Sequence, residues 1–193
     1  MDRKRLIVGI SGASAPHFGV RTLELLRQLP DVEVHLVTTR GAARTIPLET
    51  GRSLEDVAAL ADCWYAPDDF AASISSGSFR TEGMIVIPCS MNTLACIAAC
   101  MTKDLLTRAA AVVLKEKRRL VLVPRESPLH LGHLRRMVEV AEMGAMIAPP
   151  IPSFYHRPRT IDDLVDHAIG RALDAFGFDL PWMKRWKTPE RTE

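Results

Sequence analysis

Leu120-Val121-Leu122-Val123-Pro124-Arg125-Glu126-Ser127-Pro128 is the stretch that decides the fold. Four consecutive apolar residues with no polar alternation predict a strand covered on both faces, as in parallel sheets. Pro124 has no N–H to give and is expected to stop the ladder. In an open α/β sheet, ligands bind beyond the carboxyl ends of the strands. Arg125 and Glu126 therefore fall where a ligand would sit. A plain salt-bridged loop accounts for the same pair, and the stretch alone leaves both readings open.

The rest of the chain repeats this rhythm. Apolar runs at 6–10, 32–37 and 84–87, the last expected to end at Pro88, alternate with helical patterns at 18–29, 53–60, 93–99, 105–115, 131–142 and 160–176. A short strand is expected at 145–148, followed by a stiff Pro149-Pro150-Ile151-Pro152 segment. Ser53 with Asp56, and Thr160 with Asp163, have the spacing of capping boxes. Strands alternating with helices predict an α/β fold with a doubly wound, mostly parallel sheet. The 193 residues suit one domain, expected over 1–178, with a Pro/Trp/Lys-rich tail at 179–193.

Composition excludes several function classes. A net charge of +2 gives no global field for nucleic acid. No run reaches the roughly 18 apolar residues of a membrane span. The start of the chain enters a strand directly, without a signal-type apolar region. Cys63, Cys89, Cys96 and Cys100 contain no C-x-x-C pair. They read as reduced apolar filler, with Cys96 and Cys100 lining one buried helix face. A cytoplasmic location is the expectation.

Two strand-to-helix junctions carry the polar chemistry. Gly9-Ile10-Ser11-Gly12-Ala13-Ser14-Ala15-Pro16-His17-Phe18-Gly19 has small residues that let backbone N–H groups approach a phosphate, with Ser11 and Ser14 as added donors. It matches neither G-x-G-x-x-G nor G-x-x-x-x-G-K-[ST], and Val37-Thr38-Thr39-Arg40 lacks the acid of a nicotinamide site. A mononucleotide phosphate and a ligand-free tight turn both remain open. In Pro88-Cys89-Ser90-Met91-Asn92-Thr93-Leu94, three polar side chains in four positions exceed what one helix cap needs.

Seven motifs in order then point to a family: Ser11-Gly12-Ala13-Ser14, Ser75-Ser76-Gly77-Ser78-Phe79, Pro88 to Leu94, Leu106-Thr107-Arg108-Ala109-Ala110, Val113-Leu114-Lys115-Glu116, Leu122-Val123-Pro124-Arg125-Glu126 and Phe154-Tyr155-His156-Arg157-Pro158. Together they resemble the UbiX-type flavin prenyltransferases, also called phenylacrylic acid decarboxylase-like proteins, over about residues 6–186. The resemblance implies a Rossmann-like or flavodoxin-like sheet, similar to the flavin-containing cysteine decarboxylases, assembled as trimers into a dodecamer. It implies transfer of a dimethylallyl group from dimethylallyl monophosphate to N5 and C6 of reduced FMN, without a metal. The prenylated FMN would serve a UbiD-type decarboxylase.

Carried over residue by residue, the resemblance implies an FMN site of Gly12, Ala13, Ser14, Thr39, Ser90, Met91, Asn92, Thr93 and Arg125. Thr39 stands where the family has Ser. Lys115, Arg125, Glu126, Tyr155 and Arg171 would form the prenyl-phosphate site, with Ser14 and Glu49 beside it. Three cations and a phenol would neutralise a departing phosphate without metal. Glu126 would handle the proton released as the new bond forms. The chain departs from the family pattern at Ala15-Pro16, where Gly-Ala is usual, and at Cys96, Lys103-Asp104 and Ala111.

Some of these residues also read physically. Arg171 shares a helical stripe with Leu164, Ala168 and Ala175, where a guanidinium needs a partner or a ligand, or must snorkel to the helix edge. Lys115 in the last turn of a helix, near Lys117, Arg118 and Arg119, also complements the helix dipole. Asp162-Asp163-Leu164-Val165-Asp166 fits the DDxxD pattern of magnesium-dependent polyprenyl synthases, but Asp163 is already spent as a cap and the chain is too β-rich for that fold. Two rivals stand beside the transferase: a non-catalytic FMN carrier subunit of a hydroxyarylic acid decarboxylase, and a cysteine decarboxylase on the same fold. The second needs a catalytic His for which no position is found.

Overall fold

The structure, a computed structural model, describes residues 3–186. Its elements follow in order as β1 (Lys4–Ile10), α1 (His17–Leu26), β2 (Val32–Thr38), α2 (Ala42–Thr50), α3 (Leu54–Ala58), β3 (Cys63–Tyr65), β4 (Gly83–Cys89), α4 (Met91–Ala98), α5 (Leu105–Lys115), β5 (Arg119–Pro124), α6 (Leu131–Glu142), β6 (Met146–Ile147) and α7 (Ile161–Leu173). All strand pairs are parallel, in the order β3-β2-β1-β4-β5-β6. The chain winds outward from β1 to β3, then returns beside β1 and winds the other way. The carboxyl ends of β1 and β4 therefore border a topological switch point, where such sheets hold their ligands.

The apolar runs build a core on each face of the sheet. Every residue of β4 is buried, and Leu120, Val121 and Leu122 are inaccessible. Successive side chains point to opposite faces. Thus Val121 and Val123 join Leu23 and Leu26 of α1 and Ile169 and Leu173 of α7. Leu120 and Leu122 join Leu94, Leu106, Val113 and Val140 of α4, α5 and α6. Truncating a fully buried leucine such as Leu106 or Leu173 to alanine should cost about 2–5 kcal/mol.

The fold departs from the sequence reading at four places. Helix α2 was not predicted, because it buries only Ala42 and Ile46 and carries Pro47 inside it. Strand β3 was not predicted either, since three half-exposed residues show no alternation. The prolines do not stop their strands. β4 runs through Pro88 with a register shift after Val86, and Pro124 pairs with Cys89. Neither proline is needed as a donor here: the Pro88 carbonyl receives Ser11, and the Arg125 N–H donates to the Cys89 carbonyl. Finally, Cys100 lies beyond α4 and is exposed, so it does not share a buried face with Cys96.

Both capping boxes form, on α3 and α7. After α7 the chain still packs on the core. Leu180 is buried, and Trp182 and Met183 lie against the α7 side. Of the tail expected at 179–193, residues 187–193 lie outside the described residues.

Candidate active site

A cleft of about 450 Å³ opens at the switch point, lined by Gly12, Thr39, Arg40, Gly41, Pro67, Asp68, Ser90, Asn92, Thr93, Lys103 and Asp104. Five residues expected at the flavin thus converge from the turns after β1, β2 and β4. Ser11 pins two of these turns. Its Oγ donates to the Pro88 carbonyl (2.8 Å) and accepts the Ser90 N–H (2.7 Å). Ser11 is completely buried and is a structural tie, not the ligand donor expected from the sequence. Gly12 and Gly41 bring the turns after β1 and β2 into backbone contact. A Cβ on Gly12 would stand 2.8 Å from the Gly41 Cα.

The hydroxyls have defined roles. Thr39 Oγ1 accepts the Ala42 N–H at the start of α2 (3.1 Å). Ser90 caps α4 by accepting the Thr93 N–H (3.2 Å), and it donates to Thr93 Oγ1 (3.0 Å). The hydroxyl protons of Thr39 and Thr93 are left for a ligand. Ala13 and Met91 are buried and do not themselves line the cleft, so they can offer backbone groups only. Asn92 is exposed, with the Cys96 thiol 3.6 Å from its Oδ1.

The electrostatics favour an anion. The N-terminal ends of α2, α4 and α5 border the cleft through Gly41, Ser90 and Asp104, and none has an acid in its first turn. Helices α3 and α7, away from the cleft, both do. Unpaired N–H groups and the dipole at a helix start attract phosphate. Arg40 and Lys103 add positive charge. Of the two lining acids, Asp68 pairs with Arg40 (3.4 Å) and Asp104 is committed to Thr107 in a capping box. A glycine-walled, hydroxyl-lined and acid-poor cradle fits the phosphate end of a flavin mononucleotide. Arg40, Gly41 and Lys103 were not singled out from sequence as ligand residues. The acid-free first turns were the legible signal for this end of the cleft.

The remaining site residues form separate groups. Glu49 at the end of α2 accepts the Ser14 hydroxyl (3.2 Å) and the Ala15 N–H (2.8 Å). Ala15 sits at φ +66°, a conformation suited to the glycine of the family pattern. Arg125 and Glu126 project from the end of β5, both exposed. Glu126 accepts the N–H of Ser127 (3.1 Å), and among the described residues Arg125 and Glu126 form no ion pair with each other. The plain salt-bridge reading of the opening stretch therefore falls.

Tyr155 reaches back to α7, its hydroxyl 2.7 Å from Nε2 of the buried His167. Burial, reinforced by His156 and Arg171, lowers the His167 pKa and keeps the ring neutral. His167 was not anticipated, because one histidine on an apolar helix face reads as filler. Arg171 follows one turn later, 61% exposed and paired with Asp174 (2.9 Å). It lies on the outer flank of α7, not on its apolar stripe. Lys115 ends α5 and pairs with Glu116. It belongs to the opposite end of the strands from Arg125, separated by the length of β5, about 17 Å. One chain therefore does not bring Lys115 to the other prenyl-phosphate residues.

Two acidic or metal-like groupings are accounted for. The aspartates of the DDxxD stretch are divided: Asp163 accepts the Arg159 and Thr160 N–H groups, while Asp166 pairs with Arg21 (2.7 Å). Glu33, His35 and Cys63 have ligand atoms within 4.8 Å of one another. They lie toward the start of β2 and β3, where His35 bonds Glu33 (2.9 Å) and Tyr65 (2.8 Å).

The sequence model of the Flavoprotein family matches residues 1–173. Flavin prenyltransferase UbiX of Escherichia coli K12 is 55% identical over 186 residues, 95% of this chain and 98% of that protein. A dodecameric FMN-dependent UbiX-like decarboxylase from Escherichia coli O157:H7 superposes with a TM-score of 0.92 at 54% identity, covering 95% of this chain and all of that one. A UbiX protein solved with FMN and dimethylallyl pyrophosphate gives 0.93 at 48% identity, covering 97% and 100%. The chain belongs to the Flavoprotein family and, within it, to the UbiX-type flavin prenyltransferases.

Proposed function

We propose that the protein transfers a dimethylallyl group from dimethylallyl monophosphate to N5 and C6 of reduced FMN and hands the prenylated FMN to a UbiD-type decarboxylase in the cytoplasm. The observation that carries this reading is the cradle of three helix starts, none with an acid in its first turn, around Gly12, Thr39, Ser90, Asn92 and Thr93. A relative named flavin prenyltransferase, and another solved with FMN and dimethylallyl pyrophosphate, support it.

FMN supplies the nucleophilic N5 and C6 positions. The work of the protein is to hold the flavin phosphate at the cradle, with Ala13 and Met91 contributing backbone N–H groups. Ser14, tied to Glu49, would close the flavin side of the prenyl site. Arg125, Tyr155 and Arg171 would bind the departing phosphate, whose negative charge grows as the allylic C–O bond breaks. No metal is required if these cations are in place. Glu126, exposed beside Arg125, would accept a proton as the new bonds form.

Lys115 enters this scheme only from a neighbouring copy, because β5 separates it from Arg125 within one chain. A trimer-based homo-oligomer, dodecameric like the related decarboxylase, meets that need. The exposed apolar face of α6, with Leu131, Leu134 and Val138, offers surface to bury in such an assembly. Glu126→Gln tests the assignment. Bound FMN should persist while adduct formation stalls, and a variant that turns over like the parent would remove Glu126 from the mechanism.

A further inference from the structure

Behind Tyr155 lies a chain of hydrogen bonds that the reaction as proposed above does not use. His156 Nδ1 is 3.4 Å from Ser153 Oγ, Ser153 Oγ is 2.9 Å from His167 Nδ1, and His167 Nε2 is 2.7 Å from the Tyr155 hydroxyl. The two imidazoles stack at 4.2 Å with their planes 4° apart, which fixes both rings. Each link has two possible proton directions, and one buried atom chooses between them. Among the described residues, His156 Nε2 is buried without a partner. A buried N–H with no acceptor is a rarer and costlier orphan than an unmet lone pair. The proton of neutral His156 therefore belongs on Nδ1.

The rest follows from counting donors and acceptors. His156 Nδ1–H donates to Ser153 Oγ, and among the described residues the single Ser153 proton has no other acceptor than His167 Nδ1, to which it turns. Neutral His167 then carries its proton on Nε2 and donates it to the Tyr155 oxygen. With its oxygen already accepting, the Tyr155 hydroxyl has only its own proton to offer, and offers it outward. Burial keeps His167 neutral, as this arrangement requires. Arg171, one helical turn beyond His167, supplies a guanidinium on the same side of the molecule.

We infer that His167, oriented through Ser153 and His156, is a positioning residue that commits the Tyr155 hydroxyl to donate to the phosphate of the prenyl donor. This rests on the flavin prenyltransferase reading and adds to it a device for binding phosphate without using another charge. Were the relay reversed, Tyr155 would spend its proton on His167 and present only lone pairs to a dianion.

The test measures anaerobic kcat/KM for dimethylallyl monophosphate at saturating reduced FMN, with the FMN Kd as a control. His167→Phe should lower kcat/KM about tenfold, the scale of one lost hydrogen bond, and leave the FMN Kd unchanged. His167→Gln, whose amide can donate to Tyr155 and accept from Ser153, should recover most of the loss. On a Tyr155→Phe background, His167→Phe should add nothing, since both act through one hydroxyl. A His167→Phe variant at the parent rate, or losses that multiply in the double variant, would overturn the inference. Should Phe at 167 fail to fold, Ser153→Ala decides: a several-fold loss that vanishes in Tyr155→Phe supports the relay, and a parent-like rate refutes it. A parent that forms no adduct overturns the functional reading as well. An active parent with insensitive variants removes only the relay.

Discussion

Gly12→Ala probes the closest backbone approach in the cradle. The added Cβ would stand 2.8 Å from the Cα and 2.9 Å from the carbonyl carbon of Gly41. Carbon atoms rest at about 3.5–4.0 Å, so the turns after β1 and β2 must part by roughly 0.7–1 Å. Both partners are backbone, and no rotamer can relieve the contact. The displacement falls on the start of α2, where Gly41 and the Thr39–Ala42 hydrogen bond set the direction of the free N–H groups. Losing one hydrogen bond to a charged phosphate costs about 1.5–3 kcal/mol, a rise of about 10- to 100-fold in the FMN Kd. The hydrophobic clusters are not touched, so cooperative thermal unfolding should persist. Quenching of flavin fluorescence gives the Kd, and a melting curve controls for folding. A variant that melts cooperatively and binds FMN within twofold of the parent would show that this contact does not shape the flavin site.

Other perturbations read neighbouring parts of the account. Ala15→Gly should stabilise the protein by about 1 kcal/mol, measured by urea unfolding, because alanine is held at φ +66°. Ser11→Ala should destabilise by about 1–3 kcal/mol and weaken FMN binding, since the half-buried Ser90 N–H loses its acceptor. His35 and His167 should make stability fall in mild acid. Burial holds both below the ordinary histidine pKa, so the unfolded chain takes up protons first. Their contribution is full above about pH 7, declines as the pH drops through about 6.5, and levels off below their folded values. Urea midpoints at pH 8, 6.5 and 5 should show this slope, and His35→Gln/His167→Gln should flatten it.

The sheet was legible because buried parallel strands write themselves as unbroken apolar runs. Leu120 to Val123 and Met84 to Ile87 carry that signature, and helices α5 and α6 fall where the periodicity puts them. Local rules misled where tertiary contacts took over. Pro88 and Pro124 remain in their strands because their neighbours donate to other carbonyls there. Helix α2 hid behind Pro47 and a two-residue apolar stripe. Within the site, small and hydroxyl residues at strand ends announced the cradle. The inward turn of Ser11 did not show, since a serine reads the same whether it faces a ligand or a carbonyl. His167 was invisible for the same reason: its meaning comes from Tyr155, twelve residues away, folding back onto α7. The outward flank of Arg171 and the remote placement of Lys115 depend on helix rotation and sheet topology, which motif order does not encode.

Anaerobic incubation of the protein with reduced FMN and dimethylallyl monophosphate tests the central claim most directly. Mass spectrometry of the released flavin should show FMN plus one C5 unit, and the adduct should be absent with Glu126→Gln although FMN remains bound. Bound FMN without an adduct from the parent protein would contradict a transferase and leave a flavin carrier.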